Sequence, residues 1–416
     1  MSRLGRASQR PPWSPCAKPS LGGSSLVYRF LVFLVVSIVI LAGVHSYFWI
    51  RLVRDTEWPS PYRFWATATC VALACLVPLS LIASRVMPRA FVGFASWPGY
   101  IWIGLMLLLF VTLLASDVMR LLVIAIRSIS TGSPMGPKTA VMLARLQAVA
   151  VCGTTIVLGI YSIHQGLRPP VVKHLSIALP KLPPTLAGTT LVQITDLHLG
   201  VTKSRTFAED VVRRANALNP DVIVLTGDIV EGRFGSARED VQVLAGLRAR
   251  LGVFMVTGNH EYYSGVHEWL PELQRLGIQV LRNRHVTLDA SREGGWVLAG
   301  IDDWEGDRIE PGQGPDMDQA LRDIDPLRPV VLLSHQPRAM FQAADANVGL
   351  VLTGHTHGGQ IWPFVYLVRL QQPFLLGHHR VKDTQLYVSP GTGFWGPPMR
   401  LGTQAEITHI TLTPGG

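Results

Sequence analysis

The sequence predicts a membrane protein in which four transmembrane helices precede an α/β domain. Two observations support this fold class. Long, nearly uncharged apolar segments occupy the first 163 residues, and short apolar runs separated by amphipathic stretches occupy the remainder. Polar side chains recur at the ends of those short runs, and strand ends are where α/β folds usually carry function. The second part of the chain is therefore where we look for a functional site.

Four segments are long and apolar enough to cross a bilayer as helices. They are residues 30–50, 64–84, 94–116 and 141–163, and Arg145 is the one formal charge within them. A helix needs roughly 20 apolar residues to span the hydrocarbon core, so helices buried in a soluble core are a poor explanation. Tryptophans lie at or near several segment ends, as is typical of membrane interfaces. We expect a multi-pass integral membrane protein with its four helices at 30–163.

The charge distribution indicates lipid contact. Residues 1–29 are basic and rich in proline and serine, which predicts a disordered tail. Residues 1–163 carry 14 Lys and Arg against 3 Asp and Glu, whereas residues 164–416 carry 23 against 25. The basic excess lies beside the predicted spans, where it suits lipid headgroups, and no nucleic-acid partner is expected.

The spans also predict an orientation. Four crossings leave both ends of the chain on one side, where the tail and loops hold ten basic residues against six on the other side. The positive-inside rule then predicts a cell-membrane protein with its C-terminal part in the cytoplasm. Because the segments contain no ionisable pair, anchoring is expected of them rather than transport.

The second part of the chain is predicted to be an α/β domain. Residues 164–184 form a proline-containing linker with an edge strand, VVKHLSIAL, and the domain extends over residues 170–416. Eight further segments are predicted strands: LVQITD, DVIVLTGD, GVFMVTGN, WVLAGID, PVVLLSH, GLVLTGH, QLYVSP and EITHITL. Amphipathic patterns at 205–218, 238–250 and 265–276 predict helices that cover the sheet faces. The sequence HHR at 378–380 is predicted to be a loop.

Polar residues follow five of these strands. The candidates are Asp196, His198, Asp228, Asn259, His260, His335, His355 and His357. Side chains at i and i+2 of a strand point the same way, so 196 and 198 should face one volume, as should 355 and 357. Glycine precedes several of these residues, where it lets the backbone turn sharply.

Seven of these oxygen and nitrogen donors are more than one metal ion needs, and they suit two ions that share one carboxylate. Carboxylate, amide and imidazole ligands without sulfur suit Mn²⁺ first, with Fe, Zn²⁺ or Co²⁺ as alternatives. Two cations about 3.5–4 Å apart can hold a phosphoryl group and activate a hydroxide between them. The residues therefore predict two divalent metal ions and hydrolysis of a phosphoester. His260 is left over and could donate a proton to the leaving oxygen or stabilise charge on the phosphate.

The motif order D-x-H, G-D, G-N-H-E, H and G-H-T-H resembles the calcineurin-like metallophosphoesterase superfamily. The segments DLHLG, GDIVEG, TGNHEYY, SHQP, GHTHGGQ and SPGTGFWGPPMRLG resemble a branch that joins membrane spans to this domain, and its bacterial phosphodiesterase relatives. The resemblance covers residues 170–416 and implies a two-sheet β sandwich flanked by helices. It further implies one metal on Asp196, His198 and His357, a second on Asn259, His335 and His355, Asp228 as the bridge, and His260 as the catalytic histidine.

The leading hypothesis is a membrane-anchored metallophosphoesterase that acts as a phosphodiesterase. Its place beside lipid suggests a lipid-linked or nucleotide-linked pyrophosphate substrate. One alternative is a non-catalytic membrane sensor or scaffold that binds a phosphorylated ligand, and the complete ligand set argues against it. The other alternative is a nuclease, and the acidic balance of residues 164–416 argues against that.

Overall fold

Four long helices form the N-terminal part of the computed structural model, which describes residues 23–87, 89–133, 135–200, 202–292 and 294–415. They are α1 (Gly23–Trp49), α2 (Tyr62–Val86), α3 (Arg89–Thr131) and α4 (Pro137–Leu167). A π-helical turn, Ile50–Arg54, extends α1. All four are long and apolar enough to cross a membrane, which confirms the predicted four-helix region. Most of the predicted tail, residues 1–29, lies outside the described residues.

Helix α4 packs against its neighbours through a stripe of mostly small residues. Its buried positions are Ala144, Ala148, Val151, Thr155, Gly159, Ser162 and Gly166. Positions three or four apart lie on one helix face, and small side chains let two helix backbones approach closely. At Gly159 even a methyl group would overlap the Leu105 side chain of α3.

An ion pair joins the end of α1 to α3. The Nε of Arg51 donates to Oδ1 of Asp117 at 3.0 Å, and the Tyr47 hydroxyl donates to Oδ2 of the same carboxylate at 2.7 Å. The expectation that the spans hold no ionisable pair is therefore wrong. The predicted spans were defined by uncharged residues alone. The first ends at residue 50, just before Arg51, and the third ends at residue 116, just before Asp117.

The C-terminal part contains two six-stranded sheets. The first has the order β1 (Val171–Leu179), β14 (Glu406–Pro414), β2 (Thr190–Ile194), β4 (Val222–Thr226), β6 (Val253–Val256) and β7 (Ile278–Val280). The second has the order β12 (Gly377–Val381), β13 (Thr384–Val388), β11 (Leu350–Thr353), β10 (Val330–Leu333), β9 (Trp296–Gly300) and β8 (Arg284–Leu288). A two-stranded ribbon joins β3 (Leu199–Gly200) to β5 (Val230–Glu231).

The sheets pack face to face and helices cover their outer faces. Leu191 and Val224 of the first sheet share one buried cluster with Leu333 and Leu352 of the second. The helices are α5 (Arg205–Ala217), α6 (Phe234–Val241), α7 (Asn259–Ser264), α8 (Val266–Arg275), α9 (Trp304–Ile309), α10 (Met317–Ala320), α11 (Met340–Asp345) and α12 (Val365–Val368). The outer clusters pack α5, α6 and α8 on the first sheet and α10 and α11 on the second. The two-sheet sandwich flanked by helices is thus confirmed.

Each of the nine predicted strands corresponds to a strand, and VVKHLSIAL is the edge strand β1. The prediction of a loop at 378–380 is wrong. These residues lie in β12, at the edge of the second sheet. Exposed polar side chains alternate along that edge strand, and the apolar run that would have revealed it is missing. The amphipathic pattern at 238–250 gives the end of α6 and a 3₁₀ turn rather than one helix.

The domain rests directly on the helices. The backbone N–H of Arg400 donates to the carbonyl oxygen of Ser162 in α4 at 2.8 Å. Met399 is buried in a small apolar cluster with Leu108 of α3 and Ile361. Helix α4 also leads into β1 through residues 168–170. Covalent connection and side-chain packing therefore hold the domain against α3 and α4.

Candidate metal centre

The eight candidate side chains lie just after β2, β4, β6, β10 and β11, on the connecting loops or, for Asn259 and His260, at the start of α7. Strands β2, β4 and β6 run parallel, and so do β10 and β11. The carboxyl ends of parallel strands meet at one sheet edge, and the face-to-face packing brings the two edges together. The structure therefore collects into one region the side chains that the sequence singled out.

The reason given for the paired donors was wrong, although their position was right. Asp196 and His198 lie beyond the end of β2, and His355 and His357 lie beyond the end of β11. All four have left-handed backbone conformations, with φ of 53°, 49°, 71° and 50°. Such φ values are uncommon for residues other than glycine and mark functional loops. Strained loops rather than strand alternation aim these side chains.

Asp196, His198 and His357 form the first cluster of possible metal ligands. The Nε2 atoms of His198 and His357 are 3.2 Å apart, and Nε2 of His357 is 3.4 Å from Oδ1 of Asp196. The backbone N–H of His355 donates to the Asp196 carboxylate at 3.1 Å and holds it in place.

Asp228, His335 and His355 form the second cluster. Nε2 of His335 lies 3.1 Å from Oδ2 of Asp228 and 3.1 Å from Nδ1 of His355. The same Oδ2 is 3.9 Å from Nε2 of His198 in the first cluster. Asp228 therefore lies between the two clusters, and His355 and His357 belong to different ones.

These groups fit two bound cations. Ligand atoms about 2.1 Å from one ion are roughly 3.0–3.4 Å apart, which is the spacing found within each cluster. Asn259 is buried, and its side-chain oxygen has no hydrogen-bond partner among the described residues. An unpaired buried amide oxygen is unfavourable, and a cation would satisfy it. Asn259 borders the same groove as His355.

Burial and neighbouring charges set the protonation of the imidazoles. Burial lowers the pKa of His198 and of His357, and burial and His335 lower the pKa of His355 to about 3. Burial alone would also lower the pKa of His335, but the Asp228 carboxylate raises it well above the ordinary value. Three imidazoles are therefore neutral near pH 7, which is the form that binds metals, and His335 is protonated.

His260 lies beside the clusters and outside both predicted ligand sets. Its ring packs edge-on against His198, with centroids 4.6 Å apart, and against Trp395 at 6.2 Å. Its backbone N–H donates to Oδ1 of Asp228 at 2.8 Å. The backbone of His260 is thus fixed by the central carboxylate while its partly exposed ring borders the site.

Comparison with known proteins identifies the family. The sequence profile of the calcineurin-like phosphoesterases matches residues 189–359. An uncharacterized metallophosphoesterase of Aquifex aeolicus is 35% identical over 265 residues, which cover 63% of this chain and 98% of that protein. This chain belongs to the calcineurin-like metallophosphoesterases. The resemblance drawn from the order of the motifs is confirmed.

Two vertebrate relatives in this family also have a membrane part in their names. Zebrafish (Danio rerio) and bovine (Bos taurus) proteins called transmembrane protein with metallophosphoesterase domain are each 40% identical, over 273 and 280 residues. The matched regions cover 64% and 65% of this chain. They cover 62% and 63% of the relatives, so the match spans just under two thirds of those proteins.

Glycines of this metallophosphoesterase act mainly by leaving room. Gly227 has a φ of +87°, and a Cβ there would come within 2.7 Å of Nδ1 of His335. Gly258 and Gly354 have no positive φ, but a Cβ at either would overlap the carboxylate of Asp228 or Asp196. The prediction that glycine permits a sharp turn therefore holds for Gly227, while close approach explains the other two.

Glu261 is a site residue that the sequence argument missed. Its buried carboxylate accepts hydrogen bonds from the backbone N–H groups of Asp228 at 2.9 Å, Ile229 at 2.7 Å, Val230 at 3.2 Å and Gly258 at 2.6 Å. One side chain thereby joins the loop after β4 to the loop after β6. The signal was the acid that ends the G-N-H-E motif, which had received no role.

Glu231 was also missed. Its Oε2 lies 3.3 Å from Nδ1 of His198, on the side of the ring away from His357. Burial would raise the pKa of Glu231, but His198 and His260 lower it, so the carboxylate is charged. A carboxylate behind a metal-binding histidine fixes the orientation of the ring.

A polar groove of about 1030 Å³ opens beside the second cluster. Asn259, His355, Trp304, Arg338 and Gln371 are among the residues that line it. The guanidinium carbon of Arg338 lies over the Trp304 ring, 5.4 Å from the ring centroid. The side chain of Asp303 caps α9 by accepting a hydrogen bond from the backbone N–H of Glu305 at 2.9 Å.

Proposed function

We propose that the protein is a membrane-anchored phosphodiesterase that uses two divalent metal ions. The observation that carries this proposal is the position of Asp228. Its Oδ2 is 3.1 Å from Nε2 of His335 and 3.9 Å from Nε2 of His198, so one carboxylate faces both clusters. A carboxylate in that position can be shared by two cations, which is the arrangement used for phosphoester hydrolysis.

The chain supplies a complete set of ligands for both ions. Asp196, His198 and His357 would hold one, and Asn259, His335 and His355 would hold the other, with Asp228 between them. The donors are oxygen and nitrogen only, which suits Mn²⁺ first and also Fe, Zn²⁺ or Co²⁺. When bound, the pair would polarise the phosphoryl group and lower the pKa of a water molecule.

His260 is the proposed general acid. Water gives up one proton to solvent, the resulting hydroxide oxygen forms the new bond to phosphorus, and the bond from phosphorus to the leaving oxygen breaks. A proton from the His260 ring goes to that leaving oxygen, which would otherwise depart as an alkoxide. The hydrogen bond from the His260 backbone to Asp228 keeps the imidazole beside the reacting phosphorus.

The groove favours a diester or pyrophosphate over a small monoester. A space of about 1030 Å³ is large enough for a second substituent on phosphorus. Arg338 offers a positive charge along that groove, near the second cluster. With four candidate membrane helices beside it, the site suits a lipid-linked or nucleotide-linked pyrophosphate. The tail and loops on the side that carries both chain ends hold ten basic residues, against six on the other side, and this bias supports a cytoplasmic location of the domain.

The test is hydrolysis of bis-p-nitrophenyl phosphate by the full chain, stripped of metal and reloaded with Mn²⁺. Asp228→Asn should lower kcat/KM for this ester by at least about 100-fold, and His260→Ala should do so for a diester with an alkyl leaving group, because p-nitrophenolate departs without a proton. His409→Ala is the matched control, because His409 pairs with His174 at the outer edge of the first sheet and should leave the rate unchanged. Wild-type rates in the Asp228 and His260 variants would reject the assignment.

A further inference from the structure

The segment 361–376, directly after the metal-site loop, exposes an unusual number of large apolar side chains. Residues 171–415 have twelve exposed large hydrophobic residues among those the structure describes, and this segment holds six of them. They are Trp362, Phe364, Tyr366, Leu367, Leu370 and Leu376. Leu370 is 81% exposed. Clustered exposed apolar side chains mark a surface that contacts another apolar phase or partner.

This apolar segment begins at the contact between the domain and the membrane helices. Its first residue, Ile361, shares a buried cluster with Met399 and with Leu108 of α3. The N–H of Trp362 donates to the carbonyl oxygen of Leu401 at 2.9 Å, which fixes the start of the segment beside the loop that contacts α4. The segment is therefore continuous with the interface to the helices.

The contact lies inside the candidate span of α3 and at the last turn of the candidate span of α4. Gly104 of α3 has no room for a Cβ because of Met399, and Gly166 of α4 has none because of Pro398. Both positions fall inside the candidate spans. Gly104 is about 22 Å from the start of α3 at 1.5 Å per residue, and Phe91 and Phe94 nearer that start are exposed. Exposed apolar side chains of α3 therefore continue past the level of the contact.

We propose that the segment 361–376 lies in the bilayer surface and presents the metal centre to amphipathic phosphoesters held in that bilayer. The continuity with α3 and α4 favours lipid over a soluble partner. Arg369 is the one charged residue of the segment, and a basic side chain suits anionic headgroups. The exposed apolar side chains of the segment then contact lipid instead of water.

The same segment contributes one residue to the lining of the polar groove, which would orient an amphipathic substrate. Gln371 lines the groove, and the side-chain NH₂ of Gln372 donates to Oε1 of Gln336, another lining residue, at 3.1 Å. A polar head group in the groove would place its phosphorus near His355, while its hydrocarbon chains stay in the bilayer. This second step rests on the proposed function, whereas the membrane contact of the segment does not.

Lipid contact is tested by fluorescence quenching in nanodiscs that each hold one copy of the full chain. All four native cysteines are replaced by alanine, and an environment-sensitive fluorophore is placed at Leu370→Cys or, as the control, at Leu327→Cys. Leu327 is 80% exposed in the loop between α10 and β10, away from the segment. Lipids with a nitroxide near the headgroup should quench the label at 370 several-fold more than the label at 327. Equal quenching, or shielding at 370 without quenching by lipid, would overturn the proposal.

The substrate class is tested with two esters. The double variant Leu367→Glu/Leu370→Glu should hydrolyse soluble bis-p-nitrophenyl phosphate at the wild-type rate. It should hydrolyse a dioleoyl phosphodiester with a p-nitrophenyl head group, embedded in vesicles, at least tenfold more slowly than wild type or Leu327→Glu. Equal loss on both esters would overturn the substrate class. A wild-type chain inactive on both esters would instead reject the proposed function and leave the quenching result standing.

Discussion

The backbone N–H of Arg400 donates a 2.8 Å hydrogen bond to the carbonyl oxygen of Ser162 in α4. The guanidinium of the same arginine is fully buried and donates to the carbonyl oxygens of Pro390 at 2.7 Å and Gly393 at 2.6 Å. The loop that contains Pro390 and Gly393 packs against Asp196 and His357. One residue thus connects α4 to the loop behind the first cluster of possible metal ligands, so helix packing and site geometry should depend on each other.

Helix contact is tested by two glycines of α4. A Cβ at Gly166 would lie 2.6 Å from the carbonyl oxygen of Pro398 and 2.7 Å from the nitrogen of Met399, and backbone atoms cannot easily move aside. Gly166→Ala should destabilise the full chain by about 1–3 kcal/mol through overpacking. Thermal unfolding in nanodiscs should show a lower midpoint.

Gly153 of α4 is the matched control, because a Cβ there would meet no atom within 4 Å. Gly153→Ala should be neutral or stabilising by up to about 1 kcal/mol, since alanine favours helix more than glycine does. The two substitutions are chemically identical and should act in opposite directions. The same midpoint shift in both variants would contradict the contact.

Glu261→Gln should separate the loops that carry Asp228 and Asn259. A glutamine can accept hydrogen bonds at one oxygen only. Its NH₂ group would face backbone N–H groups that now donate hydrogen bonds to the carboxylate. Leaving buried donors unpaired costs roughly 1–3 kcal/mol each, so we expect lower stability and weaker Mn²⁺ binding. Denaturant unfolding and metal titration measure these effects. Glu268→Gln, at an exposed position of α8, is the control, and equal behaviour of the two variants would count against the role of Glu261.

Metal binding should release a proton from His335. Nδ1 of His335 donates to the carbonyl oxygen of Thr226 at 2.8 Å, and Nε2 lies 3.1 Å from Oδ2 of Asp228, where that carboxylate favours a second proton on the ring. Burial opposes that charge, but Asp228 raises the pKa of His335 well above its ordinary value. Below that raised pKa, Nε2 must lose its proton to bind a metal. Apparent Mn²⁺ affinity should therefore rise up to about tenfold per pH unit.

Calorimetric titration with Mn²⁺ in two buffers of different ionisation enthalpy counts the released protons. The wild-type chain should release about one proton more than His335→Asn near pH 7. His285→Asn is the control, because His285 lies on β8 and contacts the carbonyl oxygen of Ala320 instead of the clusters. Identical proton counts for wild type and His335→Asn would show that the His335 imidazole is already neutral.

Strand positions were predictable because buried parallel strands appear in the sequence as short, nearly continuous runs of apolar, often β-branched residues. The sequence of β12, at an edge, carries polar residues instead and was mistaken for a loop. Span ends were less predictable, since charge alone was used to define them. Arg51 follows α1 and Asp117 lies inside α3, and the partner of each charge is 66 residues away in the sequence.

Donor types at the site were predictable because metal chemistry restricts them to a few side chains. The directions in which these side chains point were not predictable, because they depend on residues with left-handed backbone conformations, such as Asp196 and His357, rather than on strand alternation. Glu231 and Glu261 act through other residues, so no ligand pattern reveals them. The apolar residues of 361–376 could not be distinguished from core residues until the structure showed that they are exposed.

Glu231→Gln tests whether the carboxylate behind His198 orients that ring. Oε2 of Glu231 is 3.3 Å from Nδ1 of His198, and replacing such a partner typically lowers metal affinity about 10–100-fold. Metal content after dialysis against a chelator should fall in Glu231→Gln and stay at the wild-type value in Glu209→Gln, whose carboxylate pairs with Arg205 on the surface of α5. Unfolding of the metal-free chain should be the same in both variants, because a positioning residue acts on the ring and not on the fold. Wild-type metal retention in Glu231→Gln would show that the His198 ring is held by its packing against His260 and His357 alone.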